Sequence, residues 1–171
     1  VKAALASGYV KSVVGVDLNA EQCAKAAQRF DIETTSSMER VMQDPDIELL
    51  YVSTSNSAHY PIAKAGLENG KKVFMEKPMG INMEETNDLV RVANENDGWL
   101  GVGFELRYYS KLYAKVKEII DSGEIGDLCH INCQYSISPF GNTTEAEKWK
   151  HDRALSGGIM QEKLCHYIDL P

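Results

Sequence analysis

Short apolar runs at 11–17, 32–34, 48–52, 72–75 and 99–102 alternate with stretches of helical length, and this alternation constrains the fold more than any other feature of the chain. The runs are too short for helices, and the first, with Val13-Val14-Gly15-Val16 at its centre, is β-branched. Between them, polar residues at capping-box spacing announce helix starts: Asn19 with Gln22, Ser36 with Glu39, and Asn82 with Glu85. A further helix is expected over 59–69, and Gly8 and Gly70 stand where helices would end in a left-handed residue. Strand, helix, strand in this rhythm describes right-handed βαβ crossovers, which require a parallel sheet covered on both faces. The expected fold class is α/β, a doubly wound parallel sheet over 1–103, followed over 104–171 by the beginning of an α+β domain.

The texture changes after Phe104. A helix is expected from Ser110 to Asp121, broken by Ser122-Gly123 and Gly126, then a strand over 128–136, an exposed loop over 137–147, and a helix opening at Ile159 after Ser156-Gly157-Gly158. At 171 residues with 43% apolar and 25% charged, the chain can bury one core and start a second. The net charge of −7 would repel phosphate backbones and anionic headgroups, so neither nucleic acid nor membrane is the expected partner. No apolar run approaches the roughly 20 residues of a membrane span. Cys23, Cys129, Cys133 and Cys165 are too sparse for a disulfide framework, which points to a reducing compartment, the cytoplasm by default. Cys129-His130 with Cys133 lacks a second ligand pair and reads as alternating strand side chains, so no metal is expected. The start without Met and the stop at Leu170-Pro171 read as ends cut from a longer chain.

In a doubly wound sheet, ligands bind outside the carboxyl ends of the strands. The residues leaving those ends are Asp17, Thr54-Ser55-Asn56, Glu76-Lys77-Pro78 and Phe104-Glu105. An acid at the place of Asp17 can accept both ribose hydroxyls of an adenosine and opposes a 2′-phosphate, which favours NAD over NADP; an equal alternative is an Asp that begins the turn before Asn19. No G-x-G-x-x-G loop can be quoted, because the sequence opens inside the helix that such a loop would precede. Further on, Glu162, His166 and Asp169 fall at spacings that share one helical face.

The succession Val16-Asp17, Asp44-Pro45-Asp46, Ser53 to His59, Gly70 to Pro78, Val102-Gly103-Phe104 and Asp121 to Gly126 resembles the Gfo/Idh/MocA family of NAD(P)-dependent oxidoreductases. The resemblance runs over essentially the whole chain and implies a Rossmann-type domain at 1–103, without its first strand and Gly-rich loop, and the start of a substrate domain at 104–171. It implies that Lys77 stands beside the nicotinamide and the reacting hydroxyl, often with a cis Lys-Pro bond, and that Glu76 holds the nicotinamide ribose. Thr54, Asn56 and His59 would form a turn along the cofactor, with Ser55 where the family usually has Pro. His166 falls at the family's substrate-domain His, a general base or substrate-orienting group. Glu162 and Leu164 stand where Asp and Gly are usual, typical of a Glu-Lys-x-Cys-His branch, and leave the division of labour among Lys77, Glu162, Lys163 and His166 open. Arg107 corresponds to a loop Arg near the active site, and Trp149, with Asp152-Arg153, lines a sugar pocket or serves packing. Tyr108, Tyr109 and Tyr113 are assigned to packing.

The implied activity is hydride transfer between NAD(P) and a hydroxyl or keto carbon of a sugar, polyol or related small molecule, with Lys77 polarising the oxygen, His166 exchanging the proton and Glu162 biasing the imidazole or binding a hydroxyl. Two alternatives share this sequence: a cofactor-binding sensor without turnover, and a glycosidase working through transient oxidation by NAD. The resemblance also implies a homo-oligomer at full length.

Overall fold

The computed structural model describes residues 1–105, 110–134 and 145–169. They divide into two compact units, Val1–Ile47 and Glu48–Pro171. In the first unit, helix α1 (Lys2–Ala6) precedes strand β1 (Val14–Val16), helix α2 (Ala20–Phe30), strand β2 (Glu33–Thr35) and helix α3 (Met38–Gln43). The two strands pair in parallel, Gly15 opposite Thr34, as a βαβ crossover demands. Asn19 caps α2 by accepting the Glu21 N–H at 2.9 Å. The cap of α3 is Ser37, whose hydroxyl accepts from Arg40 N at 3.2 Å, one residue later than the Ser36 expected from spacing. Adjacent serines offer the same chemistry, and Ser37 has the extended backbone that a cap requires.

The second unit contains β3 (Leu49–Val52), α4 (Asn56–Glu68), β4 (Lys72–Glu76), α5 (Met83–Glu95) and β5 (Leu100–Gly103), then α6 (Lys111–Asp121), a 3₁₀ segment (Glu145–His151), α7 (Arg153–Ser156), a π-helical segment (Met160–Leu164) and α8 (Cys165–Ile168). Its strands form one parallel sheet in the order β3-β4-β5. Alternation along β3 and β4 turns Leu50, Val52, Val73 and Met75 inward, where they join Ala63 and Leu67 of α4 and Leu89, Val92 and Ala93 of α5 in the core. Each fully buried Leu contributes roughly 2 kcal/mol through the water it no longer meets. Helix α4 lies close on the sheet because Gly66 has no side chain: a Cβ there would stand 2.6 Å from Leu50 Cδ1. On the opposite face Tyr51, Phe74 and Trp99 stack in a row, ring centres 5.6 and 6.4 Å apart.

Helix α4 starts at Asn56, three residues before the expected start at His59, with Ser55 as its cap residue. The expected strand over 128–136 does not form within 128–134, the part of it among the described residues. A strand is held by a neighbour that shares its hydrogen bonds, and these residues pair with none of the described strands. No helix among the described residues is long and apolar enough to cross a membrane.

The parallel register places Val52 opposite Met75 and Glu76 opposite Gly103. All three strands of the second unit therefore release their next residues, Ser53, Lys77 and Phe104, from the same edge of the sheet.

Candidate active site

At that edge the chain turns through Lys77–Pro78, whose peptide bond is cis. The Lys77 ammonium reaches away from the sheet and donates to the backbone carbonyl of Glu162 at 2.7 Å, while Glu162 Oε2 lies 3.6 Å from it. Asn56, in the first turn of α4, donates from Nδ2 to Ser156 O at 2.9 Å and to Glu162 Oε2 at 3.0 Å. Lys163 Nζ lies 3.5 Å from the other carboxylate oxygen. Gly157 makes the approach possible: it has φ +79°, and a Cβ on it would stand 2.8 Å from Ile81 O, just beyond the Lys77–Pro78 turn.

Glu162 is only 4% exposed. Burial pushes its carboxyl toward the neutral acid, but the Asn56 hydrogen bond and the positive charges of Lys77, Lys163 and Lys150 outweigh that, and its pKa falls below the ordinary carboxyl value. It is an anion at neutral pH. His166 is also buried, its ring edge-on to Phe104 with centres 6.1 Å apart. Among the described residues its Nδ1 has no hydrogen-bond partner, and the nearest acid, Glu105 Oε2, is 3.6 Å away. Burial lowers the His166 pKa, Glu105 and Glu162 pull it up, Lys77 and Lys163 push it down, and the sum lies below the ordinary imidazole value. The ring is therefore neutral near pH 7, a state suited to taking up a proton.

The helical spacing predicted Glu162 and His166 on one face; the structure turns them toward different partners. Glu162 lies in the π-helical segment, whose wider winding changes the angle between successive side chains, and it faces Asn56 and Lys77, whereas Glu105 is the acid closest to the imidazole. Glu105 was legible as a residue leaving a strand end, but nothing in its spacing tied it to His166.

The remaining predicted residues fall in several places. Asn56 and His59, expected along the cofactor, are 2% and 1% exposed and are turned to the protein's own groups. His59 Nδ1 lies 2.7 Å from Pro78 O; the carbonyl can only accept, so Nδ1 carries the proton, and Nε2 is left as a buried acceptor without a partner among the described residues. Such a histidine braces the turn that carries Lys77. Glu76 accepts from the Tyr51 hydroxyl at 2.5 Å. Thr54 is exposed, with its hydroxyl 3.3 Å from Ser55 O. Trp149 is half-buried in the 3₁₀ segment, with Lys150 Nζ 5.8 Å from its ring centre. Asp17 belongs to the first unit, is exposed at the end of β1, and accepts the Asn19 N–H at 2.8 Å through one oxygen, as the turn alternative expects. Arg107, Tyr108 and Tyr109 lie outside the described residues. Among the described residues no group of three or more His, Cys, Asp or Glu could hold a metal ion.

Residues 3–104 match the Gfo/Idh/MocA oxidoreductase family, NAD-binding Rossmann fold, and residues 113–171 match the Gfo/Idh/MocA C-terminal domain. The chain belongs to the Gfo/Idh/MocA family. Inositol 2-dehydrogenase of Salmonella typhimurium (strain LT2) is 29% identical over 164 residues, 94% of this chain and 46% of that protein. Trans-1,2-dihydrobenzene-1,2-diol dehydrogenase of Mus musculus is 33% identical over 152 residues, 88% of this chain and 44% of that protein. A structure of levoglucosan dehydrogenase in complex with NADH and levoglucosan superposes with a TM-score of 0.75 at 27% identity, covering 94% of this chain and 44% of the other. The chain thus spans less than half the length of these relatives.

Proposed function

We propose that this chain carries the cofactor-facing half of an NAD-dependent dehydrogenase acting on a secondary hydroxyl of a sugar or polyol, with the dinucleotide domain over 1–103 and the substrate domain beginning at 104. The observation that carries this reading is the placement of Lys77 against Glu162, and of His166 against Phe104 and Glu105, at the carboxyl edge of a parallel sheet, with Lys77, Glu162 and His166 all buried or nearly so. The relatives named above support it, being dehydrogenases of inositol, a dihydrodiol and an anhydrosugar. The donor set fits the cofactor: a free imidazole nitrogen and an ammonium with unused hydrogens border the strand ends where such folds bind dinucleotides. Thr54, Glu76 and Lys77 would hold the nicotinamide half; in the first unit, Asp17 has a second carboxylate oxygen that the Asn19 turn does not use and that would suit an adenosine ribose.

When bound, NAD supplies the acceptor for the hydride that leaves the carbinol carbon. The protein must then stabilise charge on the oxygen and remove its proton. Lys77 carries three N–H groups and commits one to Glu162 O, so others remain for the substrate oxygen, where a fixed positive charge lowers the cost of alkoxide character. His166, neutral at rest, accepts the hydroxyl proton, and Glu105, 3.6 Å from Nδ1, then stabilises the imidazolium. Glu162 balances the Lys77 charge in the absence of substrate. The test is reduction of NAD by the full-length protein across a panel of inositols and anhydrosugars, read by the absorbance of the reduced nicotinamide. Turnover with at least one of them is the expected result; reduced-cofactor binding without turnover on any substrate refutes the reading.

A further inference from the structure

We propose that Asn56 is a positioning residue: its amide holds the Glu162 carboxylate off Lys77 and so keeps Lys77 available to substrate. This rests on the reading above, in which Lys77 and Glu162 serve the reacting hydroxyl. The two hydrogens on Asn56 Nδ2 go to Ser156 O at 2.9 Å and Glu162 Oε2 at 3.0 Å. Neither partner can donate, so the amide has one possible orientation; turned over, its oxygen would face two acceptors. Asn56 and Ser156 are 2% and 0% exposed, which shuts out competing water. Ser156 is itself fixed, because the adjoining Gly157 backbone lies against Ile81 O. The amide is therefore anchored at one end and grips the carboxylate at the other.

The consequence lies in the distances around Oε2. Lys77 is tied to the Glu162 peptide oxygen at 2.7 Å yet stays 3.6 Å from the carboxylate, beyond hydrogen-bond range. With Asn56 occupying Oε2, a Lys77 hydrogen remains unclaimed. Without it, the carboxylate of Glu162 is free to close on the ammonium as a direct ion pair, and substrate must displace it. The other charges facing Glu162, Lys163 and Lys150, are left as they are. Asn56 also favours the ionised carboxylate by donating to it.

The experiment uses the full-length protein with Asn56→Leu and Asn56→Ser. Asn56→Leu keeps the volume and loses both donors without adding a charge beside Glu162; Asn56→Ser keeps one donor. In a crystal structure of Asn56→Leu, the Glu162 carboxylate should stand within hydrogen-bond range of Lys77 Nζ, and in Asn56→Ser it should stay nearer the parent separation of 3.6 Å. In Asn56→Leu, kcat should fall about tenfold to a hundredfold with KM for NAD unchanged, and Asn56→Ser should fall between it and the parent. A Lys77–Glu162 separation unchanged in both variants overturns the proposal, whatever happens to turnover. A shortened separation accompanied by Glu162→Gln with unchanged kcat supports the grip of Asn56 on the carboxylate and refutes instead the part given to Glu162 in the reaction.

Discussion

The floor of the second unit and the rim at its strand ends are buried to the same degree and hold opposite kinds of side chain. The floor is Leu67, Val73, Met75 and Leu89, each at 0 or 1% exposure. The rim is Asn56, His59, Ser156, Glu162 and His166, none above 9%. An apolar floor needs only to exclude water, whereas each polar group at the rim costs free energy unless it finds a partner. The partners found at the rim come from different elements: Asn56 is joined to Ser156 and Glu162 across 100 and 106 positions of sequence. Two rim nitrogens, His59 Nε2 and His166 Nδ1, make no hydrogen bond among the described residues, the second lying 3.6 Å from Glu105 Oε2. A chain that only needed to fold would gain by filling those sites with carbon, so the rim carries a cost that the floor does not.

Substitutions should separate the two regions by what they damage. Lys77→Met should lower kcat about 10³-fold or more, the scale of losing a charge-stabilising donor, while leaving cofactor affinity nearly unchanged; its melting temperature should also fall, because the buried Glu162 carboxylate loses a counter-charge. On the floor, Leu89→Ala should lower stability by about 3 kcal/mol in a urea titration and leave activity per folded molecule intact. Gly157→Ala sits at the boundary and should do both: its positive φ and the Ile81 carbonyl at 2.8 Å predict a loss of roughly 2 kcal/mol together with reduced kcat. If Gly157→Ala costs stability alone, the turn at Gly157 does not position the rim.

The pH dependence sharpens the same contrast. With His166 lowered, the acid limb of turnover should lie below the ordinary imidazole range, and Glu105→Gln, which removes the charge pulling it upward, should move that limb to lower pH by less than about one unit. Stability should respond in the same direction. Below its unfolded pKa of about 6.5, His166 binds protons more readily in the unfolded chain, so folding weakens as pH falls. The lowered Glu162 stabilises the fold above the unfolded carboxyl pKa of about 4.3, and that contribution fades as pH drops through its folded value. The smallest effect is expected at Leu112, 68% exposed on α6, where Leu112→Ala should change stability of the described unit by no more than about 0.5 kcal/mol.

The floor was legible because it obeys local rules. Runs such as Val73-Phe74-Met75 declare a strand, and Asn82 with Glu85 declares a helix start, where Asn82 Oδ1 accepts the Glu85 N–H at 2.8 Å. The local rule reached its limit at Ser36 and Ser37, where spacing could not choose between neighbours. It failed at 128–134, where a strand-like pattern has no pairing partner among the described residues. At the rim, Lys77, Glu162 and His166 were legible through family resemblance, but their partners were not. The link from Asn56 to Glu162 depends on a π-helical segment that no spacing rule announces, and the pairing of His166 with Glu105 depends on where β5 releases its chain.

In the proposed reaction the Lys77 ammonium assists loss of hydride from a substrate hydroxyl. The most direct measurement compares full-length protein and Lys77→Met for reduction of NAD by a polyol substrate deuterated at the reacting carbon, with reduced-cofactor affinity measured in parallel. Turnover with a primary isotope effect is expected in the parent, and loss of turnover with affinity kept is expected in Lys77→Met. Wild-type turnover in Lys77→Met would contradict it.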